Sequence, residues 1–124
     1  MSLHTGTEQI TIWSNQAIGK NASVESAAIY LGKLGPNARF WGDINATCTG
    51  GVTRTTVTYK VGNASKGTFY TPGNATACCI NHDSGTASRE RYQLAIMGTP
   101  WARFKAKEQN ASHETLNFDL IISQ

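Results

Sequence analysis

Four stretches of this chain alternate apolar and polar residues with a period of two, and nothing else in the sequence constrains the fold as strongly. Along residues 53–61, Val57, Tyr59 and Val61 fall on one side, and Thr56, Thr58 and Lys60 on the other. Residues 91–96 repeat the pattern with Tyr92, Leu94 and Ile96, residues 101–107 with Ala102, Phe104 and Ala106, and residues 116–122 with Leu116, Phe118, Leu120 and Ile122. Successive side chains of an extended chain point to opposite faces, so each stretch reads as a half-buried strand of antiparallel sheet. Weaker strands are expected at 9–13, 27–31, 39–48, 66–71 and 75–80. The segments between them are rich in Gly, Asn, Ser and Pro, the residues that turn a chain. The 3.6-residue helical period is nearly absent; its one compatible stretch, 22–28, reads as a loop running into a strand. About eight or nine short strands punctuated this way predict an all-β fold, an antiparallel β-sandwich.

The 124 residues allow one domain. We place it at 23–124, with residues 1–22, polar but for one short apolar run, as an extended N-terminal arm. Only 15% of residues are charged, against the usual quarter or so, and 15 Thr, 9 Ser and 9 Asn take their place on the surface. No apolar run approaches the roughly 18 residues that span a bilayer, so no membrane association is expected. The first residues carry neither the basic nor the apolar segment of a secretory leader, which predicts either synthesis in a cytoplasm or a leader already removed. A net charge of +3, scattered along the chain, does not point to nucleic acid.

The hydrophobic pattern of the last third predicts a meander. With short loops after Ile96 and Lys107, Leu94 would face Phe104 and Phe104 would face Phe118, keeping every apolar residue on one side. The outer side would then gather Arg91, Arg103, Lys105 and Lys107, with Arg91 opposite Lys107 and Arg103 opposite Asp119. Like charges across a ladder repel, so this basic face is the candidate contact surface for an acidic patch on another protein. Trp41, on a strand face with Arg39, Asp43 and Asn45, is the candidate half-exposed aromatic at an interface or a sugar platform.

No catalytic, cofactor-binding or metal-ligating set emerges. The adjacent Cys78 and Cys79 would point to opposite faces of a strand, and the chain has no Cys-x-x-Cys motif and no second His near them. The eight carboxylates form no facing pair, and His82-Asp83-Ser84 reads as a turn rather than a triad. The chain is therefore expected not to be an enzyme. Three cysteines make a poor disulfide framework; one bridge, Cys48 to Cys79 or to Cys78, would leave a thiol over. Five Asn-Ala-Ser/Thr triplets, at Asn21, Asn45, Asn63, Asn74 and Asn110, are candidate glycosylation sites in an extracellular chain and ordinary turn and strand sequence otherwise.

Residues 26–124 resemble the jelly-roll-like decoration or cement proteins of tailed-phage capsids. The likeness lies in Ala-Ala-Ile-Tyr-Leu leading to Arg-Phe-Trp-Gly-Asp-Ile, then a Thr-rich strand. It closes on Arg-Tyr-Gln-Leu-Ala-Ile, Trp-Ala-Arg-Phe-Lys-Ala and Leu-Asn-Phe-Asp-Leu-Ile-Ile. It implies a virion protein that stabilises a shell by contacts with the major capsid protein or another virion protein, as a homo-oligomer, a trimer in the favoured case. The alternatives are a carbohydrate-binding module or lectin, for which Trp41, Asp43 and Asn45 are the best match, and a glycosylated extracellular filament subunit.

Overall fold

A computed structural model describes residues 7–19, 21–32, 38–49, 53–73, 75, 78–82, 87–96, 99–109 and 113–123. The strands among them are β1 (Thr7–Gly19), β2 (Ser23–Glu25), β3 (Ile29–Tyr30), β4 (Arg39–Thr49), β5 (Thr53–Gly62), β6 (Cys78–His82), β7 (Ala87–Leu94), β8 (Trp101–Gln109) and β9 (His113–Ser123). They form two antiparallel sheets, one in the order β1-β9-β4-β7 and one in the order β2-β8-β5-β6, with β3 also on β8. Apart from β2 to β3 and β5 to β6, each step along the chain changes sheet. Two sheets interleaved in this way form a jelly-roll sandwich. Among the described residues no helix is long and apolar enough to cross a membrane.

The alternating residues fill the space between the sheets. Leu94, Ile96, Ala102, Phe104, Ala106, Leu116, Phe118, Leu120 and Ile122 are all buried there, with Val57, Tyr59 and Val61 from β5. Rings run through the core: Trp13 to Phe118 at 5.9 Å between centroids, Phe118 to Phe104 at 5.4 Å, Phe104 to Tyr59 at 6.2 Å, each pair tilted. Tilted contacts at such separations suit the ring quadrupoles. The Tyr59 hydroxyl accepts the backbone N–H of Ala95 at 2.6 Å, which ties one sheet to the end of β7 in the other.

The meander is overturned. β7 pairs with β4, not β8, and β8 pairs with β5 and β2, not β9. The alternation correctly separates buried from outer side chains, but any strand with the same period satisfies it. Leu94 and Phe104 therefore enter the core from opposite sheets and are not partners across a ladder. The segment expected as an arm is, over Thr7–Gly19, the edge strand β1 on β9. Its pattern was obscured by bulges between Thr11 and Trp13 and between Trp13 and Gln16, which reset the face that each residue takes. Asn15 sits in the second bulge with φ of 51°, a conformation Asn tolerates, and its N–H donates to Asn117 Oδ1 at 2.9 Å.

Two further expectations change. The strand expected at 27–31 is reduced to Ile29–Tyr30, and β2 forms before it in the stretch read as a loop. Between the two, Ser26 bridges to β8: its N–H donates to Phe104 O at 2.8 Å and its Oγ accepts the Phe104 N–H at 3.0 Å. The strand expected at 66–71 is a series of bends closed by one bridge, Val61 with Tyr70. Gly67, at φ of 126°, adopts backbone that is nearly exclusive to glycine, so the extended run breaks there.

Candidate interaction surfaces

Each sheet turns one face to solvent, and the four basic residues expected on a single face are divided between them. Arg91 lies on β7 in the first sheet; Arg103, Lys105 and Lys107 lie on β8 in the second. Arg91 is opposite Asp43 rather than Lys107, and Arg103 is opposite Lys60 rather than Asp119.

On the first face Asp43 is the organising charge. Its strand β4 lies between β9 and β7, which places Asp43 opposite Asp119 on one side and Arg91 on the other. Arg89 reaches diagonally and grips the carboxylate with both ends of its fork, Nε donating to Oδ1 at 3.0 Å and Nη2 to Oδ2; Arg91 Nη2 adds a bond to Oδ2 at 3.3 Å. Asp43 is only 5% exposed, while the two arginine side chains remain largely in water. The Arg89 hydrogen bonds hold the Asp43 carboxyl below the usual carboxylate range; burial opposes them and Arg91 assists them. Asp43 raises Arg89 in turn, with a smaller contribution from Asp119. The repulsion between Asp43 and Asp119 is thus offset within the chain on this face. Trp41 is half-buried beside it, between Gln93 and Ile121 on the neighbouring strands.

The second face is open. On β8, Arg103, Lys105 and Lys107 stand opposite Lys60, Thr58 and Thr56 of β5, and β2 brings Glu25 opposite Lys105. Among the described residues Lys60, Arg103, Lys105, Lys107 and Glu25 form no salt bridge with one another. The bend after β5 folds back so that Phe69 lies over Gly62 and Arg103. A Cβ on Gly62 would stand 3.2 Å from three atoms of that ring, so glycine is what lets the ring settle. The Arg103 guanidinium carbon is 4.7 Å from the Phe69 centroid, a cation–π contact. Its Nε is buried and has no hydrogen-bond partner. Between Phe69 and Gly67 on one side and Glu25 on the other runs a groove of about 440 Å³, floored by Thr58, Lys60, Arg103 and Lys105. The sequence flagged Arg103 and Lys105, but not Lys60 or Phe69, which no local pattern connects to β8.

The remaining candidates are dispersed. Asn21 is exposed at a turn with φ of 57°, Asn45 is half-buried on the first face and Asn63 is exposed in the bend; Asn74 and Asn110 lie outside the described residues. The Cys48 and Cys79 side chains also lie outside them, and Cys78 belongs to the core. Among the described residues no cluster of three His, Cys, Asp or Glu is placed to hold a metal.

No protein-family profile and no curated protein matches the chain. Its fold does match solved structures. A chain in the structure of infectious bursal disease virus, Gx strain, aligns over 95% of this protein with a TM-score of 0.67 and 7% identity. A piece of tripeptidyl peptidase 2 aligns over 98%, with a TM-score of 0.56, 9% identity and 10% of that chain covered. The CBM36-1 domain of a multidomain xylanase from a Trinervitermes trinervoides hindgut metagenome aligns over 96%, with 0.52, 10% identity and 97% of that domain covered. The present chain spans about a third of the length of the virus chain (32%). At these identities the likeness is one of fold, and this fold serves more than one trade.

Proposed function

We propose that this protein is a non-enzymatic structural component of a virion, a jelly-roll sandwich that docks on other protein subunits. The observation that carries the reading is the virus chain's likeness over 95% of this protein at a TM-score of 0.67. The chain's own surface supports it: on one outer face Asp43 is paired with two arginines, while the other has a groove and gathers cations that form no salt bridge among the described residues. The finer reading is a capsid decoration or cement protein, made in the host cytoplasm, seated on the major capsid protein as a homo-oligomer, a trimer in the favoured case. Size exclusion with light scattering, followed by electron microscopy of the chain mixed with empty shells, tests it. A symmetric oligomer bound at fixed lattice positions is the expected result; a strict monomer that ignores shells overturns it.

The second reading is a carbohydrate-binding module, favoured by the match to nearly the whole length of the CBM36-1 domain. A glycan array distinguishes the two, since one saturable hit on a neutral sugar would replace the virion reading.

A further inference from the structure

Resting on the reading of this chain as a protein-docking sandwich, we propose that the groove over Arg103 is the seat of an acidic peptide segment of a partner protein, held through its carboxylates. The groove lining carries three cations, Lys60, Arg103 and Lys105, against one acid, Glu25. The fold tolerates a direct repulsion there, because Lys60 and Arg103 are register partners on adjacent strands. On the opposite sheet the corresponding repulsion, Asp43 against Asp119, is offset by two arginines; here no salt bridge among the described residues offsets it. An anion between Lys60 and Arg103 removes it.

The geometry of Arg103 narrows the anion's chemistry. Phe69 covers a face of the guanidinium, so its hydrogen bonds must be made in the plane of the group, where the N–H bonds point. A carboxylate presents two oxygens in one plane and can take N–H bonds from the two Nη groups bidentately. Thr58 and the Lys60 and Lys105 ammonium groups supply donors along the floor for further carboxylates. The groove's 440 Å³ lies in the range of small-ligand sites, so it admits a short segment and not a folded surface. Sugar recognition fits less well, because Phe69 is already engaged with Arg103 and the Tyr59 ring belongs to the core.

The test uses the full chain and a fluorescent, end-blocked octapeptide of alternating Glu and Gly, with its Gln counterpart and an oligogalacturonate as comparison ligands. The Glu peptide is expected to bind saturably and more weakly with salt, and the Gln peptide not to bind. Arg103→Gln should weaken binding about tenfold or more, and Arg103→Lys by less, since charge is kept and the planar fork lost. Lys60→Gln, which relieves a repulsion and so keeps the fold, should weaken it severalfold, while Arg39→Gln on the other sheet should leave it unchanged. No binding at about 1 mM peptide, equal binding of the Gln peptide, an equal loss in Arg39→Gln, or binding of the uronate alone overturns the proposal. Shell association that survives when peptide binding fails sinks the groove assignment only; peptide binding without any shell association sinks the virion reading and spares the groove.

Discussion

Asp43 holds the first sheet's outer face together, and its chemistry fixes how that face responds to acid. Its folded-state pKa is depressed by Arg89 and Arg91, so it contributes stability above the unfolded carboxyl value near 3.8. That contribution disappears as pH falls from there through the lower folded value. Asp43→Asn is expected to cost about 1 kcal/mol at neutral pH, a modest figure because both arginines are solvated, and to flatten the loss of melting temperature below about pH 4. Gly42 supplies a second expectation. A Cβ there would stand 2.7 Å from Phe118 Cζ and 2.9 Å from Cε1. Phe118 is fully buried between Trp13 and Phe104 and has nowhere to turn. Gly42→Ala should therefore lower stability by about 1–3 kcal/mol in a denaturant titration. At this scale the sequence was informative about side and silent about depth. Alternation put Asp43 on the outer side with Trp41, as found, but gave no sign of the two arginines of β7 that cover it.

Strands were more legible than their partners. The long alternating runs at 53–61, 101–107 and 116–122 lie within β5, β8 and β9, because a face against the core imposes a period of two. Pairing escaped the same logic, since Phe104 fits the core from either sheet. β1 was the hardest to see: two bulges break its period, and Ser14, Asn15 and Gln16 look like a loop. A deletion of residues 1–19 separates the two readings of that segment. Removal of an arm would leave the melt unchanged; removal of β1 strips Trp13 and Ile18 from the core and unpairs an edge of β9. We expect an aggregating product with no cooperative transition, measured by light scattering and circular dichroism. Lys60→Gln should raise stability by a few tenths of a kcal/mol up to about 1, as the cross-strand repulsion with Arg103 is relieved.

For the molecule as a whole, an ion-paired face and, among the described residues, a face of unpaired cations follow from one topology. Because consecutive strands alternate between sheets, the cations of residues 91–107, close in sequence, are dealt to opposite sides of the sandwich. The site was therefore half legible: residue types could be read, but their company could not. The pairing of β1 with β9 also has a kinetic consequence. Within this sandwich β1 is synthesised well before its partner β9, so until residue 113 has been added Trp13 and Ile18 lack the strand that covers them. Such distant pairing closes slowly, in about milliseconds to seconds for sandwiches of this kind, and leaves that apolar surface open to aggregation until β9 docks.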